Sequence, residues 1–177
     1  MKTKKKPPQL TRNNFNGLAA YEEKDETPFR FGSFTTMGEL YVETGLNELR
    51  MSNYRRILSL DSAMVVVQFD KDGVQYQRKY FISYPDSVMV MKFTANQSGK
   101  QNLILSYCPN SEAKSNLRAD GKDGLVYTGV LDNNGMKFAF RIKAIHKGGT
   151  LEAENDRLIV KGADEVVFCS QRTPIIK

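Results

Sequence analysis

The sequence contains no tryptophan, two cysteines and one histidine among 177 residues. Two cysteines are too few for a disulfide framework. Together with the one histidine they supply too few ligands for a structural zinc site. A chain of this length buries roughly 70% of the surface that its unfolded form exposes, so its core needs neither device. We therefore expect a single folded domain without metal or cofactor.

Long apolar runs are also missing. No stretch approaches the roughly 20 apolar residues that a membrane helix requires, so we expect no membrane partner. The lysine-rich residues 2–6 imitate the basic start of a signal peptide, but the polar residues 7–14 follow where an apolar stretch belongs. We expect no signal peptide in this chain, and its localisation stays open.

Positive charge is concentrated at the N-terminus. The formal net charge is +6, from 26 basic and 20 acidic residues, and four of the lysines lie within residues 2–6. The other 22 basic groups nearly balance the 20 acidic ones. Phosphate binding requires a clustered basic face, so we interpret the lysines as a solvated tail and expect no nucleic-acid partner.

The pattern of turn residues predicts an all-β fold of antiparallel strands. Residues 1–30 are rich in Lys, Pro, Asn and Glu and show no apolar period, which indicates a basic, largely irregular segment. From residue 31 onward, Gly, Asn and Asp interrupt alternating runs at the spacing of a β-meander. The clearest hairpin joins residues 63–69 to 74–80 across residues 70–73 (DKDG), in which Asp-Gly favours a tight reversal.

Further strands follow from the same signals. A second hairpin is predicted between residues 87–94 and 101–107. A long strand over residues 137–146 would place its alternate apolar residues and His146 on one face, with Arg141 and Lys143 on the other. Shorter strands are predicted at these three places: 150–154, 157–161 and 165–168.

No set of residues supports a catalytic assignment. His146 has no serine or cysteine motif around it, and Cys108 has no activating base beside it in the sequence. Acidic pairs such as Asp164 and Glu165 could act as glycosidase carboxylates, but they suit an exposed turn equally well. We therefore assign no catalytic, cofactor-binding or metal-binding residue.

Tyrosines are the remaining candidates for ligand contact. The chain has 8 tyrosines and 10 phenylalanines, and aromatic rings can stack on the faces of sugars. Most of these rings are expected to be core or cross-strand partners. We single out Tyr41 and Tyr54 as candidate sugar contacts.

Four segments carry a resemblance to a known family. They are residues 34–42 (FTTMGELYV), 54–63 (YRRILSLDSA), 83–88 (SYPDSV) and 162–166 (GADEV). In this order they resemble part of the N-terminal domain of glycoside hydrolase family 95, the family of α-L-fucosidases and α-L-galactosidases. The resemblance covers about residues 10–168.

The resemblance implies an antiparallel β super-sandwich that is incomplete here, because family members begin with further strands. It divides the chain into the segment 1–30, a partial sandwich over 31–168 and a tail over 169–177 outside the family pattern. A shifted reading frame is one hypothesis for that tail. Family members carry their catalytic residues in a helical (α/α) barrel further downstream, so we expect this chain alone to be inactive.

The functional expectation is a non-catalytic N-terminal domain or fragment of an exo-acting glycosidase similar to α-L-fucosidase. It would pack on the catalytic barrel and help to shape its cleft, and the implied ligand is a glycan that ends in fucose or galactose. Missing opening strands would also leave a sheet edge exposed to self-association. The alternative is a free-standing carbohydrate-binding module that uses exposed tyrosines.

Overall fold

The computed structural model describes residues 38–175 except positions 48, 110–112, 132–134 and 155. The segment predicted for residues 1–30 lies outside the described residues. The described part forms twelve strands: β1 (Gly38–Glu43), β2 (Ser52–Ser59), β3 (Met64–Lys71), β4 (Val74–Ser83), β5 (Val88–Ala95), β6 (Gln101–Pro109), β7 (Ala113–Ala119), β8 (Gly124–Leu131), β9 (Lys137–Lys147), β10 (Thr150–Glu154), β11 (Arg157–Ala163) and β12 (Glu165–Ile175). In these ranges there is no helix of the length and apolarity needed to cross a membrane.

The strands form two antiparallel sheets of unequal size. The large sheet has the order β2-β3-β4-β5-β12-β9-β8-β7, and the small sheet has the order β1-β6-β11-β10. Strands β6 and β11 of the small sheet lie against β5, β8 and β9 of the large sheet. The predicted all-β fold is confirmed, and its architecture is that of a β-sandwich.

Alternation along the strands explains where the core lies. In β6 the buried apolar residues are Leu103, Leu105 and Tyr107, and the residues between them are more exposed. Phe168 of β12 has no exposed surface, and its ring meets the edge of Phe93 at 5.8 Å. Because side chains alternate across a strand, each sheet turns one apolar face toward the other.

An aromatic cluster joins the two sheets. The ring of Tyr107 in the small sheet lies 4.9 Å from Tyr127 and 5.2 Å from Phe140 of the large sheet. Burial raises the pKa of the Tyr107 phenol far above its usual value. Tilted aromatic pairs of this kind contribute about 0.5–1.5 kcal/mol each beyond their buried area.

The first predicted hairpin is confirmed as β3 and β4. The two strands pair in register from Met64 opposite Phe81 to Lys71 opposite Val74. Asp72 and Gly73 both have positive φ, 49° and 75°. Two consecutive positive φ values match the right-handed twist of the flanking strands, which is why an Asp-Gly pair closes this turn.

The second predicted hairpin is wrong, because β5 and β6 lie in different sheets. β5 pairs with β4 and β12, whereas β6 pairs with β1 and β11. Residues 96–100 therefore cross from one sheet to the other. Turn residues mark where a chain changes direction, but the partner of each strand is decided by which apolar faces must be buried together.

The long predicted strand is confirmed as β9, with Phe138, Ile142 and Ala144 buried on one face. Arg141 and Lys143 are exposed on the other face, as the two-residue period requires. The predicted short strands at 150–154 and 157–161 are confirmed as β10 and β11, which pair with each other.

The final strand is longer than predicted. β12 runs from Glu165 to Ile175 between β5 and β9, and Ile175 still pairs with Lys137 of β9. Beyond Phe168, Cys169 continues the ladder and Ser170 is buried. Cys108 and Cys169 are not joined by a disulfide bond.

Candidate functional site

A groove of about 870 Å³ opens over the β2, β3 and β4 end of the large sheet. One wall consists of the end of β1 and the loop that follows it, and the strands supply the floor. The lining residues are Val42, Thr44, Leu46, Met51, Tyr54, Arg56, Val65, Val67, Phe69, Arg78, Tyr80 and Met89.

Strand register places two arginines on the floor of the groove. Arg56 of β2 is opposite Val67 of β3, and Val67 is opposite Arg78 of β4. Directly opposed residues share a face of a sheet, so the two guanidinium groups flank the valine on the same side. Arg55, the neighbour of Arg56, faces the other way.

The electrostatics of the groove are positive. Arg78 packs over the ring of Phe69 at 5.0 Å, a cation–π distance. Neither Arg56 nor Arg78 forms an ion pair with a carboxylate of the described residues. Burial raises the pKa of the Tyr80 phenol, and the charges of Arg78 and Arg56 oppose that rise. Two guanidinium charges therefore act on the same part of the floor.

The two tyrosines singled out from the sequence lie in different surroundings. Tyr54 lines the groove and is 61% exposed. Tyr41 lies on β1 next to Val42, which faces the groove, so alternation turns Tyr41 away from it. The Tyr41 hydroxyl donates to the Glu39 carboxylate, and this hydrogen bond raises the pKa of Tyr41. The structure does not bring Tyr41 and Tyr54 onto one surface.

The histidine and the first cysteine lie away from the groove. His146 is exposed at the end of β9, and its Nδ1 is 2.8 Å from the carbonyl oxygen of Gly148. Cys108 is exposed on β6 opposite Glu39 of β1. Neither side chain lines the groove.

The acidic pair Asp164 and Glu165 forms structural contacts at the junction of β11 and β12. Asp164 accepts hydrogen bonds from the Ser98 hydroxyl and from the Gly99 backbone N–H. Glu165 forms an ion pair of 2.7 Å with Lys92. Among the described residues, no three His, Cys, Asp or Glu side chains lie close enough together to hold a metal ion.

The chemistry of the groove is that of binding. None of the described residues that line it is Asp, Glu, His or Cys, the side chains that most often transfer protons or bind metals. Guanidinium groups bind anions, and an exposed tyrosine ring can stack on a sugar face. Sequence reasoning found Tyr54 and missed Arg56 and Arg78, although alternation along β2 and β4 was the signal that could have placed them.

Comparison with known families matches nearly the whole chain. The model described as "Glycosyl hydrolase family 65, N-terminal domain" matches residues 4–173. Probable alpha-fucosidase A from Aspergillus niger is 33% identical over 98 residues, which are 51% of this chain and 12% of that protein. Alpha-L-fucosidase 2 from Arabidopsis thaliana is 28% identical over 76 residues, which are 42% of this chain and 9% of that protein.

A solved structure shares the fold. A human-microbiome protein assigned as a kojibiose phosphorylase superposes with a TM-score of 0.52 at 9% identity. The superposition covers 76% of this chain and 22% of that protein. In each of these comparisons the matched region is a small share of the other protein's length.

Proposed function

The chain belongs to the family of glycosyl hydrolase family 65 N-terminal domains, and we propose that it is the N-terminal sandwich of an α-L-fucosidase-like member of glycoside hydrolase family 95. The match over residues 4–173 carries the proposal, because it assigns almost all of the chain to a glycosidase N-terminal domain. Two relatives named as fucosidases support the narrower assignment.

On this proposal, catalysis takes place outside the chain. A glycosidase that inverts its substrate needs two carboxyl groups about 6.5–9.5 Å apart across the scissile bond. The groove supplies no carboxyl group from the described residues. The sandwich packs on a helical catalytic barrel and helps to shape a cleft for a glycan that ends in fucose or galactose.

Activity assays test where catalysis takes place. We expect the chain alone to release no chromophore from an aryl α-L-fucoside or an aryl α-L-galactoside, because on this proposal the catalytic carboxyl groups belong to the helical barrel. The Aspergillus niger relative is the comparison enzyme in the same assay. Turnover by this chain at the rate of that enzyme would overturn the proposal.

A chimera tests whether the domain shapes the cleft. The region of the Aspergillus niger relative that aligns with this chain is replaced by the corresponding residues of this chain. We expect the chimera to keep fucosidase activity and a deletion of the same region to lose it, since the cleft then lacks a wall. A deletion that keeps the rate and KM of the parent would contradict the cleft-shaping role.

A second candidate function is carbohydrate binding without an attached enzyme. The observation that favours it is the exposed ring of Tyr54 at the groove. On a glycan array, Tyr54→Ala should abolish binding, whereas Tyr84→Ala, at a ring that is 91% exposed outside the groove, should keep it. An array without signal for the unmodified chain would reject this second candidate.

A further inference from the structure

We propose that the groove over β2, β3 and β4 binds an acidic saccharide and holds the carboxylate of a uronic acid residue between Arg56 and Arg78. The inference rests on the proposed function in one respect, since it takes the ligand to be a glycan. It adds a ligand class that differs from a neutral sugar ending in fucose or galactose.

Uncompensated charge is the first argument. The groove has two guanidinium groups on its floor and no carboxylate among its described lining residues. Some cations of the large sheet have acidic partners, such as Lys92 with Glu165 at 2.7 Å and Arg141 with Asp120 at 3.1 Å. Arg56 and Arg78 have no such partner in the described part of the chain. A bound anion would supply it.

The spacing of the arginines is the second argument. Arg56 and Arg78 lie on strands separated by β3, so their backbones are about 10 Å apart. Arg78 is held in place over the rings of Phe69 and Phe93, at 5.0 and 6.0 Å. Two long side chains that converge from this distance can enclose one carboxylate, which a guanidinium group binds with two parallel hydrogen bonds.

The rest of the lining favours a saccharide over an acidic peptide. Tyr54 offers an exposed ring for stacking, and Val42 and Leu46 form an apolar wall beside it. A peptide strand would bind by adding to the edge of β2 that is unpaired in the described part of the chain, with its backbone hydrogen-bonded to that edge. Arg56 and Arg78 instead lie on the floor of the groove, which is a face of the sheet. A ligand that contacts both arginines therefore lies across the strands and not along the edge of β2. The volume of about 870 Å³ is within the range of small-ligand sites and suits a short oligosaccharide.

Calorimetric titration of the full chain tests the proposal. The ligands are a trigalacturonate and a neutral galactose trisaccharide of the same length. We expect binding of the trigalacturonate and at least about tenfold weaker binding of the neutral trisaccharide, because charge-assisted hydrogen bonds are lost. Equal affinity for the two ligands, or no binding of the trigalacturonate, would overturn the proposal.

Two neighbouring arginines provide matched variants. Arg56→Gln should weaken trigalacturonate binding at least about tenfold, whereas Arg55→Gln, with the same change of charge on the opposite face, should leave it within about twofold. Both side chains are exposed, so thermal melting of the variants should match that of the unmodified chain. An equal loss of trigalacturonate affinity in both variants would mean that net charge alone explains the effect, and it would reject the site.

A glutamate peptide separates the two ligand classes. Tighter binding of a hexaglutamate peptide than of trigalacturonate would assign the groove to a protein partner and overturn the saccharide proposal. Weaker binding of the peptide supports it. These titrations do not depend on fucosidase activity, so a failure of the chimera and a failure of uronate binding are separate results.

Discussion

The carboxylate of Asp164 accepts a 2.8 Å hydrogen bond from the backbone N–H of Gly99, a residue 65 positions earlier in the chain. The Ser98 hydroxyl donates to the same oxygen. Asp164 lies between β11 and β12, and Gly99 lies in the segment that crosses from β5 to β6. One carboxylate therefore ties together two places where the chain changes sheets.

Asp164→Asn should lower the melting temperature at neutral pH, because the hydrogen bonds from Ser98 and Gly99 lose their charged acceptor. These bonds hold the pKa of Asp164 below its ordinary value of 3.8. The stabilising contribution is thus complete above that ordinary value and is lost as the pH falls through the lower pKa of the folded state. Thermal melts from about pH 7 to about pH 2 compare the melting temperatures of the unmodified chain and the variant. The difference between them should stay constant toward lower pH and disappear only in acid.

Asp61→Asn is the control for this titration. Asp61 is exposed and has no hydrogen bond or ion pair with another described residue. The melting temperature of the Asp61→Asn variant should equal that of the unmodified chain at every pH. A gap for Asp164→Asn that widens in acid would contradict the direction of the pKa shift.

Gly149→Ala should destabilise the fold more than Gly73→Ala. Both glycines have positive φ, 64° and 75°, but a Cβ at Gly149 would lie 2.2 Å from the Lys161 carbonyl oxygen, and a Cβ at Gly73 would have nothing within 4 Å. Backbone strain alone costs about 1–2 kcal/mol, so urea denaturation should give that loss at Gly73. At Gly149 the added clash should bring the loss to about 3 kcal/mol or more. Equal losses would show that the backbone at Gly149 relaxes around the methyl group.

Phe168→Ala should cost about 3–5 kcal/mol in the free energy of unfolding, because it leaves a cavity between the sheets. Phe168 has no exposed surface and contacts Phe93 edge-on. Ile145→Ala, at a residue 60% exposed on the neighbouring strand β9, should cost about 0.5 kcal/mol or less. Denaturant titrations of the two variants measure the difference, and losses of equal size would place Phe168 outside the core.

The edge of β2 that no other described strand pairs with should promote self-association. β2 ends the large sheet, nearly all of its residues are exposed, and Leu58 and the adjoining Leu60 are 64% and 83% exposed. Light scattering should show a mass that rises with protein concentration, and the double variant Leu58→Lys, Leu60→Lys should return it toward the monomer. Ile145→Lys, away from that edge, should leave the association unchanged. A monodisperse unmodified chain at high concentration would contradict this prediction.

Local sequence signals predicted the elements better than their partners. The hairpin of β3 and β4 follows from the Asp72-Gly73 turn and the runs on either side of it, since its strands are neighbours in the sequence and in the sheet. The same reasoning failed for β5, because its other neighbour is β12, more than sixty residues later. No turn residue carries information about such a distant pairing.

The candidate site was predictable only in part. Tyr54 could be selected as an aromatic residue, but its surroundings depend on the register of β2 with β3 and β4. Arg56 and Arg78 are 22 positions apart in the sequence, and only the sheet places them on one floor. Tyr41 has the same chemistry as Tyr54, and the alternation of β1 turns it away.

The position of β12 has a consequence for how the protein is made. During synthesis, β2 to β5 and β7 to β9 leave the ribosome before β12, the strand that lies between these two groups in the large sheet. Until then β5 and β9 each present an open edge, so completion of the large sheet must wait for its most sequence-distant pairing. Such pairings close slowly. The nascent chain is therefore most exposed to misassembly, and to chaperone capture, just before β12 emerges.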